Sequence, residues 1–214
     1  MARHEHISQI RGHNQLRRRP GERKPKAITL IVCEGETEQE YFDQVRRQLG
    51  LGTAEVIIPR GQGGSAPTSV VDYAEKKAKE PGGYDHIFCV FDRDEPVNVA
   101  KARTKIRALA TRARKPLPIQ EAASVPCFEV WTLLHFEQTD AAFNECDSVI
   151  QRVRQHMPEY KKADRECIKQ LLPRLETALT NARWLSTRTG IEDENPSTTA
   201  HRVVEHLRAI GASA

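Results

Sequence analysis

With 214 residues, a formal net charge of +4, and 38% hydrophobic against 29% charged residues, the chain has the length of one domain, or of one domain with a small helical appendage. It is long enough to bury a core without disulfide or metal staples, and its modest apolar content predicts a solvated segment somewhere in the chain. No apolar run approaches the roughly 20 residues of a membrane span, no apolar stretch near the start has the character of a secretory leader, and the five cysteines (Cys33, Cys89, Cys127, Cys146, Cys167) show no C-x-x-C spacing, which argues against a disulfide framework or zinc ribbon and for a reducing cytoplasm.

Residues 1–26 form a basic arm. Eight cations, among them Arg17, Arg18, Arg19, Arg23 and Lys24, face only Glu5 and Glu22, a local charge of +6 that leaves −2 for the remainder of the chain. With three histidines, two prolines and few apolar groups, the arm is expected to be disordered. It is either a solvated terminus or a non-specific phosphate-binding tail.

The α/β pattern begins at residue 27. Residues 27–33, A-I-T-L-I-V-C, are continuously apolar and β-branched, as suits a strand buried on both faces in a parallel sheet. The run stops at Glu34-Gly35-Glu36. Thr37 and Glu40 have capping-box spacing, predicting a helix over 37–49 closed by Gly50 and Gly52. A second strand is predicted over 54–59, a flexible glycine loop over 61–65 and a helix over 67–79. The third strand, 87–91, runs straight into Asp92-Arg93-Asp94-Glu95. A long basic helix over 97–114 and a fourth strand over 119–123 follow. Beyond Val125 only helices are predicted, near 128–136, 143–157, 165–185 and 197–208. The expected architecture is therefore a mostly parallel sheet of about four strands flanked by helices (27–125), with a helical part (126–214) completing the same unit.

Ligands of open parallel sheets bind at the carboxyl ends of the strands. The first strand ends at Glu34 and the third at Asp92 and Asp94, so neighbouring strands would bring three carboxylates together. Glu38, four residues after Glu34, can reach the same place. Carboxylate oxygens suit Mg²⁺, Mn²⁺ or Ca²⁺, and no cysteine or histidine is placed by these motifs to join them. The bland readings are a helix N-terminus favouring acidic residues and an ordinary acidic loop. Phe128, Trp131, Leu134 and His135 fall at helical spacing, as core residues do. N-P-S-T over 195–198 reads as a helix start capped by Asn195 or Ser197. Gly61, Gly63 and Gly64 lack the G-K-[ST] of a nucleotide loop.

Residues 33–38 (C-E-G-E-T-E) followed by Tyr41-Phe42, and residues 91–95 (F-D-R-D-E), resemble the signature of a Toprim domain. Together with S-V-P-C-F-E-V-W over 124–131 and N-P-S-T over 195–198, they resemble more specifically the RloB-like family of bacterial defence-associated proteins, over about 28–207. The resemblance implies a Toprim-like fold and Mg²⁺-dependent (or Mn²⁺-dependent) phosphodiester chemistry on nucleic acid, RNA such as tRNA or DNA, with a partner ATPase and no membrane. Carried over, Glu34 is the general acid/base or first metal ligand, Asp92 and Asp94 hold the ion, and Glu38 completes the cluster. Glu129 and Ser124 are candidates for a second metal position. Lys161 and Lys162 are candidates for the lysine of OLD-type nucleases, against a solvated basic pair, and Asn195 for a place near the site. The competing function is a non-catalytic subunit that docks a partner ATPase. A phosphotransferase or phosphatase ranks last, because it leaves Glu34 and Glu38 without a role.

Overall fold

The computed structural model describes residues 27–59, 66–94, 96–189 and 194–212. The basic arm, the glycine loop and Glu95 lie outside the described residues. Five strands form one sheet in the order β2-β1-β3-β4-β5: β1 Thr29–Cys33, β2 Ala54–Ile57, β3 His86–Asp92, β4 Ile119–Val125 and β5 Ser197–Thr198. The first four are parallel. β5 is antiparallel to β4 and was not expected, since two residues carry no periodic signal.

Burial on both sheet faces accounts for the unbroken apolar runs. In β1, Ile31 and Cys33 point to one core layer, Leu30 and Val32 to the other. In β3, Phe88 and Val90 share the first layer, and Ile87, Cys89 and Phe91 the second. The second layer is closed by α2 (Pro67–Lys77) and α3 (Pro96–Thr111), which bring in Val70, Val71, Val99 and Ala102. The first layer is closed by α1 (Glu36–Gln48) together with the later helices α4 (Glu129–Leu133), α5 (Cys146–His156), α6 (Arg165–Leu171), α7 (Leu175–Thr189) and α8 (Ala200–Ala212). One apolar cluster thus runs from Ile31 to Leu207.

Local chemistry departs from expectation at four places. The Thr37/Glu40 capping box does not form. α1 starts from Gly35 without a side-chain cap, and the Thr37 hydroxyl instead accepts the Ala163 N–H at 3.1 Å. At the other end Gly50 adopts φ +65 and closes the helix as expected. The predicted 165–185 helix is divided by a 3-10 turn, Leu172–Arg174, where Pro173 has no N–H to continue the ladder. N-P-S-T is not a helix start. Its last two residues are β5, and Thr198 Oγ1 accepts the N–H of Ala200, the first residue of α8. Finally, Cys127 and Cys146 are joined by a disulfide, with Cα atoms 5.6 Å apart, against the reading of the cysteines as unpaired.

Candidate functional site

β1 pairs with β3 from Thr29↔His86 to Cys33↔Val90, so both strands end on the same sheet edge. The chain leaves β1 toward β2 on one side and leaves β3 toward β4 on the other. The crevice between β1 and β3 is therefore the switch point at which such sheets bind ligands. Glu34 spans it. Its N–H donates to the Val90 carbonyl at 2.9 Å, and its Oε2 accepts the Asp92 N–H at 2.9 Å.

Glu38 is buried in the first turn of α1, and its carboxylate folds back over Gly35. A Cβ at Gly35 would sit 2.7 Å from Glu38 Oε2. The glycine of E-G-x-T-E thus makes room for the second glutamate. Gly35→Ala should leave the fold intact, since only a flexible carboxylate must move, while weakening divalent-ion affinity by about 10–100-fold, as lost ligand positioning does. Isothermal titration with Mn²⁺ measures this, and an unchanged affinity would separate Glu38 from the site.

Glu129, fully buried at the start of α4, joins the lining of the same cleft. Its Oε1 lies 3.3 Å from Lys162 Nζ and accepts the Tyr160 hydroxyl at 3.5 Å. Its Oε2 lies 3.1 Å from Cys146 Sγ. Cysteines therefore do stand beside the carboxylates, which the motifs alone did not indicate. Lys162 arrives on a loop whose Ala163 has φ +57, and the Thr37 hydroxyl holds that loop against α1. Sequence placed Thr37 in a helix cap and gave Gly35 no role, although both lie inside the E-G-x-T-E motif. The resulting cleft, of about 430 Å³, is lined by Glu34, Glu38, Asp92, Asp94, Glu129 and Lys162, with Asp94 and Glu36 on its exposed rim.

Other candidates lie elsewhere. Lys161 is exposed and does not line this cleft. The Ser124 hydroxyl is 2.8 Å from Thr198 Oγ1, fastening β5 to β4. Asn195 bridges the backbone of Phe143 with both amide atoms and lines an adjoining depression that shares Asp92, Asp94 and Lys162. His135 is a packing residue. Its Nδ1 faces the Trp131 carbonyl and its Nε2 the Tyr41 hydroxyl, each at 2.9 Å, and burial lowers its pKa to about 4. Arg17, Arg18, Arg19, Arg23 and Lys24 fall outside the described residues.

Burial and mutual repulsion dominate the electrostatics. Burial, with the charge of Glu129, pushes Glu38 up to about 7, against the pull of a backbone hydrogen bond and Lys162. Asp92 is raised well above the carboxylate range by burial first, then by Glu38, Glu129 and Glu34. Burial raises Glu129, and Lys162 opposes it. Asp92 Oδ1 is buried with no hydrogen-bond partner. Carboxylate oxygens, one of them buried and unpaired, are donors of the kind that suit a hard cation such as Mg²⁺ or Mn²⁺.

A pH dependence follows. The folded state holds the Glu38 proton more tightly than the unfolded chain, so Glu38 contributes stability that is complete below about 4.5 and is lost as pH rises through about 7. In metal-free protein at pH 8, Glu38→Gln should therefore be more stable than the parent by about 1–3 kcal/mol, an advantage that shrinks toward pH 5. Urea unfolding at the two pH values measures it.

No curated protein and no solved structure matches the chain. The sequence matches the family of RloB-like proteins over residues 29–207, from the first strand to the last helix, and the chain belongs to that RloB-like family.

Proposed function

We propose that this chain is a divalent-metal-dependent nuclease that hydrolyses phosphodiester bonds of nucleic acid, RNA such as tRNA or DNA. It would serve as the effector of a bacterial anti-phage or restriction-linked system and work with a partner ATPase. The observation that carries the reading is the unpaired, buried Asp92 Oδ1 within a cluster of carboxylates at the switch point of the sheet.

Glu34, Glu38, Asp92 and Asp94 would hold Mg²⁺ or Mn²⁺, with Glu129 available to a second ion. The metal would neutralise charge at the phosphoryl oxygens and lower the pKa of an attacking water. The side chains do the rest. Glu34 is pinned across the crevice by the Asp92 N–H, which fixes the position of its carboxylate. Glu38, whose pKa burial raises to about 7 in the metal-free protein, would give up its proton when it takes the ion. Lys162, half-exposed, sets an ammonium group at the mouth of the cleft, where a phosphate would approach. The basic arm would add affinity that is indifferent to sequence and sensitive to salt.

The test is incubation of the full chain, with and without the partner ATPase, with labelled tRNA, plasmid and single strands in Mg²⁺ or Mn²⁺. Thermal midpoints are measured in parallel. Saturating metal should stabilise the protein, by about 2.7 kcal/mol at a hundredfold excess over Kd, and Asp92→Asn should abolish both the shift and cleavage. A metal response unchanged in Asp92→Asn would sink the assignment. Metal binding without cleavage of any substrate would favour the docking subunit.

A further inference from the structure

The disulfide lies against the proposed metal ligands and is reachable from solvent. Cys127 is two residues before Glu129 on the turn that enters α4, and Cys146 opens α5. Both cysteines line the depression that shares Asp92, Asp94 and Lys162 with the carboxylate cleft. Cys127 is buried, Cys146 is half-buried, and the other three cysteines are all buried as free thiols. Cys127 Sγ, Cys146 Sγ and a Glu129 carboxylate oxygen all lie within 4.8 Å of one another.

The oxidation state of the pair changes what Glu129 can accept. In the disulfide, Cys146 Sγ carries no proton, and Glu129 Oε2, 3.1 Å away, gains no hydrogen bond from it. That oxygen is then available to a cation. After reduction, the Cys146 S–H can donate to the same oxygen, and the segment leading into α5 loses its covalent tie to the turn before Glu129. The thiol then competes with a metal ion for one carboxylate oxygen.

We propose that Cys127 and Cys146 form a reversible thiol–disulfide switch on Glu129, in which closure of the disulfide raises the divalent-ion affinity of the carboxylate cleft and its opening lowers it. The oxidant is a peroxide. One thiolate attacks a peroxide oxygen, breaking the O–O bond, releasing one water after protonation and becoming a sulfenic acid. The second thiol attacks that sulfur, forming the S–S bond and releasing a second water. Two thiols and one hydrogen peroxide thus give one disulfide and two waters. Each sulfur loses one electron, and the two peroxide oxygens take them up. A dithiol reductant reverses the change by exchange.

The proposal rests on the metal reading of the carboxylates, and its test separates the two. Full-length protein is treated with hydrogen peroxide or with dithiothreitol, freed of reagent, then unfolded and alkylated with iodoacetamide for intact-mass measurement. Mn²⁺ binding by each form is followed through the electron paramagnetic resonance signal of the free ion. The oxidised chain should take three alkyl groups and the reduced chain five, one for each free thiol. The oxidised form should bind Mn²⁺ roughly tenfold more tightly, the effect of one hydrogen bond to a charged group. Cys146→Ser and Cys146→Ala should each bind Mn²⁺ equally after either treatment. The serine variant, which keeps a donor to Glu129, should show the weaker affinity. Five alkyl groups after peroxide, or equal Mn²⁺ affinities in the two forms of the parent, overturn the switch. Absence of Mn²⁺ binding in both forms overturns the metal reading and the switch with it.

Discussion

Glu34→Gln and Asp94→Asn should each abolish nuclease activity, lowering the rate by at least about two to three orders of magnitude, the scale on which loss of a single preorganised electrostatic group is felt. Glu36→Gln should stay close to the parent. The three acidic residues differ in placement. Glu34 is fixed across the crevice by the Asp92 N–H, and a glutamine there still offers an oxygen to that donor, so the strand ends stay together while the charge disappears. Asp94 is exposed on the cleft rim, and its replacement costs the fold little. Glu36 is exposed at the start of α1, where its charge chiefly complements the helix dipole. The measurement is cleavage rate, together with urea unfolding of each variant to show that the fold survives. Full activity in Glu34→Gln and Asp94→Asn would remove the nuclease reading and leave the chain as a docking subunit.

Lys162→Met should separate binding of metal from chemistry. Lys162 is the cation of the described cleft lining, placed 3.3 Å from Glu129 and facing several carboxylates. Its loss leaves the anionic donor set in place and deepens the negative field, so Mn²⁺ affinity should hold or improve. A phosphodiester, itself anionic, loses a partner at the mouth of the same cleft, and cleavage should fall about 10²–10³-fold. Lys162→Arg should recover part of that loss. Thr37→Val tests the support from the other side. Without the hydroxyl that accepts the Ala163 N–H, the Lys162 loop is less well held, and a smaller loss in rate with unchanged metal affinity is expected. Weaker Mn²⁺ binding in Lys162→Met would show that the lysine orders Glu129 rather than meeting the substrate.

The parts of this site that are legible in sequence are those set by strand ends. An apolar run buried on both faces stops where its first charged residue appears, so Glu34 and Asp92 announce their own position, and parallel pairing of β1 with β3 brings them together. Lys162 had no such signal. Its place depends on a hydrogen bond between Thr37 and Ala163, and the threonine that makes it has the spacing of a local helix cap. β5 eluded the sequence for a related reason, since two residues gain a strand conformation only through Ser124 and Val125 across the ladder. The Cys127–Cys146 pairing was argued against from the odd cysteine count and the absence of C-x-x-C spacing, whereas the contact is made by the packing of α4 against α5. Local chemistry also misled at N-P-S-T, where Asn195 holds the backbone of Phe143 and Thr198 meets Ser124 across the ladder.

The bond between Thr37 and Ala163 joins residues 126 positions apart. A ribosome adding about 5–20 residues per second needs roughly 6–25 s to pass from one to the other. Throughout that interval the nascent chain holds Glu34 and Glu38, and later Asp92, Asp94 and Glu129, but not Lys162. A chain that cuts nucleic acid would be dangerous beside the messenger and transfer RNAs that are making it. Here the ammonium group is among the last parts of the cleft to be synthesised, and it cannot be seated until its loop has left the exit tunnel and met α1. Order of synthesis therefore delays completion of the cleft until residue 163 has emerged from the exit tunnel.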